Sequence, residues 1–182
     1  MHTDKQIVES VRKGEREGLE DMVNRYASQV FAMIVKHVPN SMDAQELTQD
    51  TFLKAFENIS SYDSHQSSLS TWLCRIAYRL ILDFQKRRRP VVVPLDENPV
   101  SMTDFSDEEL DAALSTGNEQ GIERLQELIN ELPDEDQMLL VLYYYENHPL
   151  TEIAFIIGSS PNVLSSRLYR IRKKLYKKLK EI

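Results

Sequence analysis

The stretch SSRLYRIRKKLYKKLK, residues 165–180, carries eight Lys and Arg and no acid, in a chain of 182 residues whose formal charge is −7. Cations at that density suit one chemistry above others, the neutralisation of nucleic-acid phosphates. A second set lies nearer the amino terminus, where Arg75, Tyr78, Arg79, Lys86, Arg87, Arg88 and Arg89 follow a polar loop bearing Tyr62 and His65. A third set is anionic: Glu46 and Asp50 stand one helical turn apart. Paired carboxylates can do acid–base work, yet no partnered His, metal ligand, Gly-rich phosphate loop or Ser, His and Asp arrangement accompanies them, so an enzyme is not expected. Cys74 is alone and His2, His37, His65 and His148 are scattered. That excludes an intrachain disulfide and offers no metal-ligand spacing, so neither metal nor cofactor is expected.

The elements that must position these residues read as helices, since apolar residues recur three and four apart and strand alternation is missing. A short amphipathic helix, DKQIVESVRK, breaks at Gly14. The next turns Leu19, Met22, Val23, Tyr26, Val30 and Ile34 inward and stops at Pro39 and Asn40. A third runs from near Asp43 to Ile59 on Leu47, Phe52, Ala55, Phe56 and Ile59. After the loop SSYDSHQSS, a fourth buries Leu69, Leu73, Ile76, Ala77, Leu80 and Phe84, with Trp72 expected in the core.

Further on, HPLTEIAFIIGSSPNVLSSRLYRIRKKL holds the strongest local signal. Pro149 suits a first helical turn, Ile153, Ala154 and Ile157 make an inward face, and Gly158 suits the left-handed residue that ends a helix. Ser160 is a good N-cap and Pro161 a good first residue for a second helix, which buries Leu164, Leu168, Ile171 and Leu175. Helix, tight turn, helix is the helix-turn-helix plan, whose second helix enters the major groove. Asn162, Ser165 and Ser166 can then reach base edges, and Arg167, Arg170, Arg172, Lys173, Lys174, Lys177, Lys178 and Lys180 can meet phosphates. The run Tyr143, Tyr144 and Tyr145 is expected to be mostly core.

Charge divides the chain in three: residues 1–89 hold 13 basic and 12 acidic groups, 90–120 none and eight, and 121–182 nine and nine. The middle part, with three prolines and little periodicity, reads as an acidic linker between two small helical domains. The acidic total does not oppose DNA binding, because screening over about 8–10 Å lets the local face dominate. The apolar runs VFAMIV and LLVLYYY fall short of the roughly 20 residues of a membrane span, and the start MHTDKQIVES lacks a signal-peptide core. A cytoplasmic location and no direct membrane insertion are expected.

The order AQELTQDTFLKAFENISSY, LSTWLCRIAYRLILDFQKRRR, acidic linker, LPDEDQMLLVLYYYEN and turn motif resembles, over nearly the whole chain, the extracytoplasmic-function (ECF) group of bacterial RNA polymerase sigma factors. The resemblance implies an all-α protein with a sigma region 2 bundle at 1–89, a linker at 90–120 and a sigma region 4 helix-turn-helix at 121–182. It implies that the protein directs core RNA polymerase to promoter DNA. Glu46, Leu47, Gln49, Asp50 and Leu53 would dock on the beta-prime coiled coil, with the beta flap as a further contact. Tyr62, His65, Arg75, Tyr78, Arg79, Lys86, Arg87 and Arg88 would recognise and melt the −10 element. Ser160, Asn162, Ser165, Ser166, Arg167, Arg170, Lys173 and Lys174 would read the −35 element, and an anti-sigma factor is a further expected partner. The chain departs from the family pattern at Arg79, where many members have Asn, at Ser159 and Ser165, and at Phe155, an aromatic on a face expected to be polar. The alternative is a stand-alone helix-turn-helix regulator whose amino-terminal domain dimerises or binds a ligand.

Overall fold

The computed structural model describes residues 2–88 and 119–180. The acidic linker expected over 90–120 lies, except for its last two residues, outside the described residues, as does Arg89. Eight α-helices make up the described residues, with no strand among them. They form two compact units, the first carried by the helices up to Arg88 and the second mainly by those from Glu119 onward.

In the first unit α1 (Asp4–Arg12) opens with a capping box: Thr3 Oγ1 accepts from the Gln6 amide, and the Gln6 side chain accepts from the Thr3 amide. Two otherwise orphaned backbone donors are satisfied in this way. Gly14, at φ +74°, makes the left-handed turn into α2 (Arg16–Val35). Asn40 then caps α3 (Ser41–Glu57), its side-chain oxygen accepting from the amides of Met42 at 2.8 Å and Asp43 at 3.3 Å. A short 3-10 turn, Ile59–Ser61, ends that helix. Ser68 starts α4 (Leu69–Arg88), its Oγ accepting from the Thr71 amide at 3.1 Å.

Ile7, Met22, Ile34, Ala55, Leu69, Leu73 and Ile81 are sealed from solvent in this unit's core. Each large apolar side chain buried there contributes about 1.5–3 kcal/mol of transfer free energy. The approach of α1 to α2 is tightest at Gly18, where a Cβ would come within 2.6 Å of the Ser10 side chain and 2.8 Å of the Val11 backbone nitrogen. Trp72 is buried, its ring edge-on to Tyr62 with centroids 5.5 Å apart.

From Glu119 onward the helices are α5 (Glu119–Asn130), α6 (Asp134–Leu140), α7 (Leu150–Ile157) and α8 (Pro161–Lys180), and the second unit takes them with the exception of Phe155–Gly158. Leu128, Met138, Leu139, Leu142, Ile153, Leu164, Leu168, Ile171 and Leu175 form its core. Three expectations change here. A π-helical turn at Val141–Tyr145 follows α6, with the Glu146 amide bonded to the Val141 carbonyl. The wider turn shifts the helical register, so Tyr144 and Tyr145 face solvent, Tyr145 at 70% exposure, instead of filling the core. Pro149 caps α7 from outside, its carbonyl accepting from the amides of Glu152 and Ile153. Finally, Ile153 and Ala154 are buried as expected, whereas Ile157 is only half-buried.

Candidate nucleic-acid and partner interfaces

On α3, Glu46 and Gln49 are exposed, Asp50 is half-buried and Leu53 is 57% exposed. Leu47 points the other way, into the core. Beside this strip lies an open groove of about 680 Å³ between α2 and α3, walled by Val23, Ala27, Phe31, Phe52, Leu53 and Phe56. Sequence periodicity missed the groove because its walls come from two helices, each with an ordinary amphipathic pattern.

The loop before α4 is closed on itself. Tyr62 is only 8% exposed, and its hydroxyl donates to the Ser67 carbonyl at 3.2 Å across the loop. Burial, with Asp4 and Asp63 adding to it, raises the Tyr62 pKa. Asp63 organises the tip, accepting from the His65 amide at 2.9 Å and from the Gln66 side chain at 3.2 Å. The His65 amide bond, chief among the lowering contacts, holds the Asp63 carboxyl below its ordinary range. His65 is thereby displayed at the exposed tip. So Tyr62, expected as a stacking ring, is packed inside the loop, and His65 is the ring that solvent reaches.

Along α4, Arg79, Lys86 and Arg87 are exposed, Arg75 is half-buried and Tyr78 is buried. Tyr78 thus sits in the core rather than on the basic face; the Arg88 side chain lies outside the described residues. Burial first, and the neighbouring Arg79 charge second, pull the Arg75 pKa down.

In the second unit the turn has the geometry of a helix-turn-helix. Gly158 stands at φ +81°, and Ser160 caps α8, accepting from the Val163 amide at 3.4 Å through its hydroxyl and from the Leu164 amide through its carbonyl. Ser160, Asn162, Ser165, Ser166, Arg170 and Lys174 are exposed, and Lys173 is half-buried. Arg167 is committed elsewhere. Its Nε donates to Asp136 at 2.5 Å, and both terminal nitrogens reach one Glu135 oxygen at 3.2 Å. Desolvation works against this charge, yet the two carboxylates outweigh it and raise the Arg167 pKa. Arg172 is buried, and Lys178 pairs with Glu131 at 2.6 Å, holding the Glu131 carboxyl below its usual range. The helix therefore offers solvent fewer cations than its sequence carries.

An all-helical chain with a polar loop beside a basic helix in one unit and a helix-turn-helix in the other has the makings of a DNA-directed transcription factor. Residues 22–91 match the model of Sigma-70 region 2, and residues 122–175 match Sigma-70 region 4. The ECF RNA polymerase sigma factor SigW of Bacillus subtilis is 28% identical over 98% of this chain and 97% of its own length. The ECF RNA polymerase sigma-E factor of Escherichia coli is 27% identical over 99% of this chain and 96% of its own. Among solved structures, CnrH in complex with the cytosolic domain of CnrY shares the fold, with a TM-score of 0.63 at 18% identity over 98% of this chain and 97% of that one. RpoE of Bartonella quintana, in complex with the anti-sigma factor NepR, shares it at a TM-score of 0.56 and 17% identity, over 90% and 96%. The chain belongs to the sigma-70 family, in its ECF group: it is a sigma factor that directs RNA polymerase to promoters. Nothing in these relationships favours the stand-alone regulator. Among the described residues no helix is long and apolar enough to cross a membrane.

Proposed function

We propose a division of labour within this initiation factor. Residues 1–89 act as region 2, docking on the beta-prime coiled coil through Glu46, Gln49, Asp50 and Leu53, with the apolar groove beside them receiving part of that partner. Loop 62–68 and the cations Arg75, Arg79, Lys86 and Arg87 engage the −10 element, with His65 as the ring that meets an unstacked base. Residues 121–182 act as region 4: Ser160, Asn162, Ser165 and Ser166 face base edges at the −35 element, and Arg170, Lys173 and Lys174 face phosphates. Residues 90–120 connect the two without clinging to DNA, because their eight acids repel it. The protein performs no catalysis of its own and works in the cytoplasm. The complex of RpoE with the anti-sigma factor NepR supports an anti-sigma partner for this chain as well.

The observation that carries this reading is the exposure, on one α8 surface, of short polar side chains followed by Arg170 and Lys174. Its test is run-off transcription with core polymerase and the full chain, from promoters mapped by transcript starts after overexpression. Gln49→Ala with Asp50→Ala should lower the yield through weaker core binding while helix content stays unchanged. Unaltered capture of core polymerase by that variant rules the docking assignment out.

A further inference from the structure

Helix α1 lies wholly outside the residues matched to Sigma-70 region 2, which begin at 22. It is nonetheless fixed with care. Ile7, Val8 and Val11 are buried, and Asp4 accepts from Arg25 at 2.7 Å and from the Tyr26 hydroxyl at 2.7 Å. Gly18 lets the Ser10 side chain lie directly against α2. A helix pinned at both ends and along its side can hold something else in place.

What α1 holds is the root of loop 62–68. It packs on the 3-10 turn at 59–61 as well as on α2. From its last turn Arg12 reaches across, Nη2 donating to the Tyr62 carbonyl at 2.7 Å and Nε to the Ile59 carbonyl at 3.4 Å. These carbonyls bracket the 3-10 turn that follows α3; the Ile59 carbonyl also accepts from the Tyr62 amide, so Arg12 adds a second donor to it. A guanidinium is suited to them, because its fork of donors fixes two acceptors at once. Tyr62 is then held three ways: by its carbonyl on Arg12, by its ring on Trp72 and by its hydroxyl on Ser67. The next residue, Asp63, shapes the tip that displays His65.

We propose that α1, through Arg12, is the positioning element for loop 62–68 and so sets which base the protein prefers at the −10 element. This rests on the reading of that loop as the −10 contact. Arg12 touches no base itself; it fixes the direction in which the loop leaves the bundle, and a loop displaced by about 1 Å presents His65 to a different volume. A loop held in advance also discriminates better than one that must be ordered on binding.

The experiment is run-off transcription by core polymerase with the full-length chain, from a mapped promoter carrying each of the four bases in turn at every −10 position. His65→Ala identifies the position that the loop senses. At that position Arg12→Ala should flatten the ranking of the four bases by about tenfold, with core binding and dependence on the −35 element unchanged. Arg12→Lys, which keeps the charge but loses the fork, should fall between. Tyr62→Phe, which removes only the bond to Ser67, should flatten the ranking to a smaller degree, and Arg12→Lys decides the role of Arg12 if Arg12→Ala lowers stability, as reported by Trp72 fluorescence. If His65→Ala changes the ranking while Arg12→Ala and Tyr62→Phe leave it intact, the positioning role is overturned and the loop assignment survives. If none of the three alters any −10 preference, the loop assignment falls and the role of Arg12 with it.

Discussion

Loop 62–68 in the first unit is held by a guanidinium on backbone carbonyls and a phenol on another, whereas α8 in the second is fastened by carboxylates on Arg167 and Lys178. Both arrangements aim a surface proposed to meet DNA, and they draw on different resources. Arg12 spends its charge on neutral acceptors away from the basic face of α4, so Arg79, Lys86 and Arg87 stay exposed. The second unit uses two cations of its own recognition helix as fasteners, which reduces the number that can meet phosphates. A helix must be both oriented and charged to read DNA, and here the two demands compete for the same side chains.

The largest effect that could break this contrast comes from close packing, the first unit's other fastener. Gly18→Ala would place a methyl 2.6 Å from the Ser10 side chain and 2.8 Å from the Val11 nitrogen. A backbone atom cannot swing aside, so α1 must move off α2, at a cost of about 3 kcal/mol. Trp72 is the only tryptophan in the chain and sits in this unit, so its fluorescence follows the loss. A melting transition unmoved by the substitution would mean that α1 is not seated as described.

Next in size is the clamp on α8. Arg167→Ala leaves Glu135 and Asp136 without their shared partner and should destabilise the second unit by about 2 kcal/mol, less than for a fully buried pair because Arg167 is only half-buried. The salt dependence of promoter binding separates fastening from phosphate contact. Each neutralised phosphate contributes about 0.9 to the slope of log affinity against log salt. Arg170→Ala should therefore lower the slope by about that amount, and Arg167→Ala should leave it alone. Glu135→Gln with Asp136→Asn sharpens the comparison. Freeing an arginine that could bind DNA would strengthen binding, whereas loosening one that orients the helix weakens it, and weaker binding is expected.

Much of this architecture was legible in the chain. Helical periodicity located α1 to α4, α7 and α8 but not α5 or α6, and Gly158, Ser160 and Pro161 marked the turn, because capping and left-handed residues act through their immediate neighbours. The motif order carried the family. What stayed hidden depends on partners distant in sequence. Tyr62, Tyr78 and Arg172 look like interface residues until the core closes over them, and Arg167 looks like a phosphate ligand until α6 brings Glu135 and Asp136 beside it. Tyr144 and Tyr145 sit at core spacing for an α-helix, which the π turn undoes. Arg12 carried no local signal at all, since its acceptors lie 47 and 50 residues away.

The smallest effect separates the units by pH, since their fasteners titrate at opposite ends of the scale. Burial first, then the hydrogen bond to Asp4, pushes Tyr26 up to about 12 from its ordinary 10. A phenol whose pKa is raised by folding contributes stability that is fully present below pH 10 and is lost as pH climbs through 10 toward 12. The second unit has the mirror case in Glu131, whose carboxyl Lys178 holds below its ordinary 4.5. That contribution is present above 4.5 and fades as pH falls below it; both groups of this pair are solvent-accessible, so the acid effect is the weaker of the two. Tyr26→Phe should lower first-unit stability at neutral pH by about 1 kcal/mol through the lost hydrogen bond. It should also remove part of the alkaline decline in the Trp72 transition between pH 10 and 12, leaving the acid side unchanged. An alkaline limb identical in the two proteins would show that the Tyr26 and Asp4 bond does not help hold α1, and the hold on α1 would then rest on the Arg25 and Asp4 pair and on Arg12.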